Sequence, residues 1–231
     1  CCCYVWSIFN CKIELKVSVL KKFVNTLKNH KWFNLLLIAY LLVNIFVLIK
    51  NPGSIFNQPE KFGEAISTYG SRDASLYAKM AWQLINDGIY GYNGTISNAY
   101  VTPGQPFYLA AIIKIAMLFD TNHIMLYRLS NMVLNLGILI LIYGLSYKLF
   151  NKRSISLIAA AVYATHISPL FMFRTALTEI PTIFLVLVCI YLFVVSLEKD
   201  KFYLYTLFGI VAAITLFFRA TPAPMLLLAW L

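Results

Sequence analysis

Five long apolar runs punctuate this chain: Trp32–Ile49, Leu129–Tyr147, Ile155–Phe173, Ile180–Leu197 and Phe202–Phe218. With a rise of about 1.5 Å per helical residue, runs of this size approach the roughly 30 Å of hydrocarbon in a bilayer. In that medium every backbone N–H and C=O must find a partner within the protein, so each run is expected to be a helix. Composition agrees: 61% of residues are hydrophobic, 12% are charged, and the mean hydropathy is +0.75. Ordinary soluble domains hold about 45–50% apolar residues. The chain therefore reads as an all-α, polytopic transmembrane helical bundle. Its Lys and Arg residues flank apolar runs and do not interleave with aromatics on a soluble face, so no nucleic-acid partner is expected.

The net charge of +10 belongs to ends and loops. Lys12, Lys16, Lys21, Lys22, Lys28 and Lys31 precede the first run, and no small-residue cleavage site follows it. Residues 1–31 thus read as a basic cytoplasmic tail ahead of a membrane domain over 32–231. A further apolar stretch, Gln105–Phe119, is short, carries Lys114 and opens with Pro103, Gly104 and Pro106. Counted as a span, it would send Lys148, Lys152, Arg153, Lys199 and Lys201 to the side opposite the N-terminal lysines, against the positive-inside rule. It is therefore read as a re-entrant or interfacial helix. With that parity, loop 50–128, the turn Arg174–Glu179 and Arg219 share the extracytoplasmic face.

Within loop 50–128, Leu76, Tyr77, Met80, Ala81 and Leu84 recur at helical spacing, and Asn86-Asp87-Gly88 ends the pattern. Asp73 is expected at the start of an amphipathic helix lying along the membrane surface. The five cysteines (Cys1, Cys2, Cys3, Cys11 and Cys189) have neither metal-ligand nor redox spacing. Whether a divalent metal is needed stays open at this stage. A last apolar run from about Ala223 is shorter than a span requires, so the chain is expected to be truncated at its C-terminus.

Carboxylates and arginines on one face of a membrane suit group transfer at an acceptor hydroxyl. A base must take the hydroxyl proton, and cations must hold a leaving phosphate. Asp73 is a candidate base, although an Asp in that position also caps a helix. Glu179, followed by Pro181, begins the fourth run and faces the positive end of its helix dipole. Arg174 and Arg219 end apolar runs, and Arg128 precedes one; guanidinium groups at such sites either grip phosphate or snorkel to the interface. His166 and Pro169 read as a packing group and a kink in the third run. Asn93-Gly-Thr95 matches a glycosylation acceptor, a pattern that arises often by chance.

Taken in order, Asp73-Ala-Ser-Leu-Tyr77-Ala78, Gly88-Ile-Tyr90, Pro103-Gly104-Gln-Pro106, Arg128, Thr178-Glu179-Ile-Pro181 and Arg219-Ala-Thr-Pro222 resemble the dolichyl-phosphate-mannose protein mannosyltransferases. The order is similar, too, in the bacterial lipid A aminoarabinose transferases. The resemblance runs from about Trp32 onward and rests on the sequence of weak motifs along a matching hydrophobic profile. It implies an inverting integral-membrane glycosyltransferase that draws on a polyprenyl monophosphate sugar, with Asp73 as base and Glu179 as a second active-site acid. Tyr77, Tyr100, Arg128, Arg174 and Arg219 are then expected near the substrate or its phosphate, at the outer face of a plasma membrane or in the endoplasmic reticulum lumen. The acceptor is a protein, lipid or glycan. The chain departs from the aminoarabinose transferases at Leu76 and at Val101-Thr102, so their donor and acceptor do not carry over. Two other readings stay open: a transporter or flippase of lipid-linked sugars, and a non-catalytic membrane subunit.

Overall fold

A computed structural model describes residues 30–50, 72–91, 96–97, 101–172 and 174–224. Among these, regular structure is entirely helical: α1 (Lys31–Lys50), α2 (Arg72–Asn86), α3 (Gly104–Leu118), α4 (His123–Phe150), α5 (Arg153–Thr165), α6 (Ile167–Met172), α7 (Glu179–Lys199) and α8 (Phe202–Phe218). Three of them, α1, α4 and α7, are long and apolar enough to cross a membrane. Their outward faces carry large apolar side chains such as Leu35, Ile38, Phe46, Val133 and Leu197, each more than half exposed. Water penalises such a surface and lipid does not.

The central helix is α4, which packs against α1, α3, α5 and α7. A Cβ added at Gly137 would lie 2.7 Å from the Phe184 ring, so the missing side chain is what lets α7 approach α4 this closely. A group of polar side chains inside the bundle pair with one another. The Asn135 amide donates to the Tyr40 hydroxyl (2.9 Å) and to Asn44 Oδ1 (3.0 Å). Asn135 Oδ1 in turn accepts from the Tyr163 hydroxyl (2.5 Å). These bonds tie α1, α4 and α5 together at one fixed height, where a polar group without partners would cost several kcal/mol, roughly.

The third apolar run is not one helix. It breaks at His166, whose backbone is extended (φ −74, ψ 122), and resumes as the short α6. Pro169 explains the position of the break: it has no N–H for the Thr165 carbonyl and its ring would clash with that carbonyl in a continuous helix. The Thr165 hydroxyl folds back onto the Ala161 and Val162 carbonyls, helping to close the end of α5. The single kinked span expected over 155–173 is therefore two helices, divided at His166, three residues before Pro169.

Tight reversals set which helix ends meet. Asn151 and Asp200 adopt left-handed conformations (φ 51 and 45) after α4 and α7. They return the chain into α5 and α8 at the end of the bundle that also holds His30, whose ring meets Tyr143 and Tyr147 of α4. The Lys148–Glu198 ion pair joins α4 and α7 at this same end. Consequently the starts of α4 and α7 and the end of α8 gather at the opposite end.

Helices α2 and α3 also sit at that opposite end. The start of α3 rests on Phe218, its last residue lies a short loop from the start of α4, and Trp82 of α2 meets His123 edge-on at 5.6 Å. At 15 residues, α3 is about 22 Å long, well short of a full crossing. Sequence spacing placed Leu76, Tyr77, Met80, Ala81 and Leu84 on the apolar side of an amphipathic helix, and in the fold none of them is exposed, with Met80 and Ala81 fully buried. In the fold the deepest contact with α3 is the stripe Ala74, Ala78 and Ala81, at most 1% exposed, with Tyr77 and Leu84 flanking it. Small side chains win this face because they allow two helix backbones to approach.

Candidate functional site

Three helices meet at the end of the bundle away from His30 and Lys148. Glu179 stands in the first turn of α7, and Arg219 caps the C-terminus of α8. One guanidinium N–H of Arg219 donates to Glu179 Oε1 across 3.2 Å. Both ends suit these charges, since a carboxylate is stabilised at a helix N-terminus and a cation at a C-terminus. The second carboxylate oxygen, Oε2, is buried and has no hydrogen-bond partner among the described residues.

Asp73 lies exposed in the first turn of α2, and Tyr77 follows one turn later on the same side. The Tyr77 phenol is held above its ordinary value of 10.0, first by burial and then by the Asp73 and Glu179 carboxylates, while Arg219 opposes the rise. The Tyr77 hydroxyl therefore stands within the fields of all three charged groups. Tyr90 is close enough for its own phenol to be raised by burial and by Tyr77.

The turn between α6 and α7, which carries Arg174 and leads into Glu179, is held by side chains from α3 and α4. Arg128 Nε donates to the Arg174 carbonyl (3.1 Å) and the Tyr127 hydroxyl to the Thr175 carbonyl (3.0 Å). The Gln105 amide donates to the Ala176 carbonyl (3.0 Å), and the Leu177 carbonyl lies 3.4 Å from the Tyr127 hydroxyl. Gln105 also donates to Tyr127, joining the two supports (3.2 Å). Three consecutive carbonyls, those of Arg174, Thr175 and Ala176, are thus fixed from outside the turn, which orients both Arg174 and the first turn of α7. Arg128 is 5% exposed and acts here on the backbone. Arg174 is half-buried over the Phe171 ring at 5.5 Å, and burial lowers its guanidinium pKa. Its charge and that of Arg128 oppose one another.

The Pro103-Gly104-Gln-Pro106 turn is seated on the end of α8. The Thr102 hydroxyl donates to the Phe218 carbonyl (2.9 Å), and the Tyr90 hydroxyl to the Val101 carbonyl (2.8 Å). Gly104 lies so close to Phe218 that a Cβ there would sit 2.7 Å from a backbone nitrogen. Beside Arg219, Phe107, Tyr108, Ile214 and Phe217 line an open apolar groove of about 470 Å³.

Of the residues singled out in the sequence, Asp73, Tyr77, Glu179 and Arg219 come together, Arg174 stands on the adjoining turn, and Arg128 supports that turn. Tyr100 and Asn93-Gly-Thr95 lie outside the described residues. Gln105 and Tyr127 carried no signal of their own beyond being polar atoms within apolar segments, which in a membrane helix demands a partner. Among the described residues, no group of three or more His, Cys, Asp and Glu side chains is arranged to hold a metal ion. No model of a known protein family matches the chain, nor does any curated protein or solved structure.

Proposed function

We propose that this chain is part of a membrane glycosyltransferase that moves a sugar from a polyprenyl monophosphate carrier to an acceptor hydroxyl on the extracytoplasmic side. One observation carries the reading: Asp73, Tyr77, Glu179 and Arg219, from three separate helices, converge at one end of the bundle beside an apolar groove. Asp73 takes the proton from the acceptor hydroxyl as its oxygen bonds to the anomeric carbon. The bond from that carbon to the phosphate oxygen breaks, its electron pair leaves with the carrier phosphate, and attack from the opposite face inverts the configuration. Arg219 and Arg174 neutralise the phosphate as charge builds on it. Glu179 holds Arg219 in place until the donor arrives, and Tyr77 orients the sugar or acceptor by hydrogen bonding. Arg128 acts on the phosphate through Arg174. The apolar groove beside Arg219 suits the first isoprene units of the carrier.

The test is transfer from a panel of radiolabelled polyprenyl-phosphate sugars by the protein reconstituted in vesicles, with Asp73→Asn alongside. Loss of about a hundredfold or more in rate matches removal of a general base. Transfer unaffected by the substitution reduces Asp73 to a helix cap. Movement of lipid-linked sugar across the vesicle without transfer replaces the enzyme by a flippase.

A further inference from the structure

The end of the bundle away from Glu179 holds a second concave site. His30, Lys31, Trp32, Arg153, Ser154 and Leu157, with Phe33 and Tyr143 behind them, line a cavity of about 160 Å³ between the starts of α1 and α5. Its two flexible cations come from different helices, and neither forms an ion pair among the described residues. Among the described residues, no carboxylate lines the cavity. Each cation also stands in the first turn of its helix, where unpaired backbone N–H groups already create positive potential. The Lys152 cap of α5 supplies no side-chain oxygen to those N–H groups. The concentration of positive charge reaches His30: besides partial burial, Arg153 holds its imidazole below the ordinary value of 6.5. The imidazole hydrogen-bonds the Tyr143 hydroxyl, which anchors it at the cavity wall.

The apolar part of the wall shows what kind of anion fits. Trp32 is 73% exposed at the start of the most apolar stretch of α1, the position at which tryptophan marks the boundary of a bilayer. Below it, Leu35 and Ile158 present exposed side chains on the outer surfaces of α1 and α5. A ligand here meets two cations and a hydroxyl at its head and hydrocarbon-facing side chains beneath. We infer that this cavity binds the phosphate of an anionic phospholipid, with Lys31 and Arg153 on the phosphate oxygens, Ser154 as a hydrogen-bond donor and the acyl chains lying along α1 and α5. The site is separate from the proposed catalytic end and does not depend on that reading. Basic pockets between membrane helices recognise anionic headgroups in this way, and each basic residue near the membrane surface contributes roughly a fivefold gain in affinity.

The experiment measures binding of fluorescent phosphatidylglycerol to the protein in neutral detergent, competed by unlabelled phosphatidylglycerol, phosphatidylcholine or inorganic phosphate. The expected result is selective competition by phosphatidylglycerol, with affinity about thirtyfold weaker in the Lys31→Gln/Arg153→Gln double variant. A second variant, Ser154→Glu, places a carboxylate inside the cavity at an exposed helix start where acids are tolerated; it is expected to abolish selectivity while the thermal midpoint stays near that of the wild type. Competition by inorganic phosphate as strong as by phosphatidylglycerol keeps the anion site but overturns its assignment to lipid. Equal binding of phosphatidylglycerol by wild type and both variants overturns the site altogether.

Discussion

Arg219 at the end of α8 donates to Glu179 at the start of α7 across 3.2 Å, joining two helix termini whose dipoles favour those charges. The pair is partly exposed, with side chains 45% and 27% accessible, so its share of fold stability is small. What it fixes is where a guanidinium stands relative to Asp73 and Tyr77. Glu179→Gln and Arg219→Gln are each expected to move the thermal midpoint by only a few degrees, about 1 kcal/mol or less. Sugar transfer by either variant is expected to fall at least tenfold. The double variant is expected to be little worse than the poorer single one, because each substitution already disrupts the pair. Additive losses in a double-mutant cycle of transfer rates would show that the two residues act independently.

Removing the Tyr127 hydroxyl frees the Thr175 carbonyl and takes away one partner of Gln105. Tyr127→Phe is expected to destabilise the protein by about 1–3 kcal/mol, the cost of leaving buried polar groups unpaired. The local signature is more diagnostic than the midpoint. Hydrogen exchange should accelerate across residues 174–179 before it changes in α8, whereas uniform acceleration would argue against a clamp on this turn.

Gly104 has no room for a methyl group. A Cβ there would lie 2.7 Å from the Phe218 nitrogen and 2.8 Å from the Phe217 carbonyl carbon, and backbone atoms cannot rotate away as a side chain would. Gly104→Ala is expected to push α3 from the end of α8 at a cost of roughly 1–3 kcal/mol. Thermal unfolding in detergent checks this, and a midpoint equal to the wild type would mean that the contact is looser than described.

The Tyr77 phenol titrates above 10.0 because burial and two carboxylates disfavour its anion. In the unfolded chain it ionises near 10, so between that pH and its folded value the native state holds the extra proton. Its contribution to stability is thus complete below pH 10 and is lost as pH rises through the folded value. Ultraviolet difference titration against Tyr77→Phe isolates this phenol. Asp73→Asn is expected to lower its pKa and Arg219→Gln to raise it; no response to either would separate Tyr77 from the charged cluster.

Much of the helix inventory was legible along the chain because a bilayer leaves backbone polar groups no partner except their own helix. The run Phe202–Phe218 has the same limits in the sequence reading and in the fold, α1 and α7 differ from their runs only at their charged ends, and α4 begins six residues earlier, at His123, and ends three later, at Phe150. Gly88 ends α2 in a left-handed conformation (φ 68), as Asn86-Asp87-Gly88 foretold. In the third run Pro169 was read as a kink within one helix, and in the fold its missing N–H and its ring go further and divide the helix at His166.

Sequence by itself determined which segments are helical and apolar, which carry charge, and that Asp73, Glu179 and Arg219 stand at helix ends. Those properties follow from local chemistry and the solvent that each segment can tolerate. Only the tertiary structure decided that Tyr77 stands among Asp73, Glu179 and Arg219, that Gln105 and Tyr127 hold the turn before Glu179, and that alanines form the packed face of α2. These are relationships between residues far apart along the chain. They depend on how closely helices approach and which buried polar atoms find one another, and neither is written in any single segment.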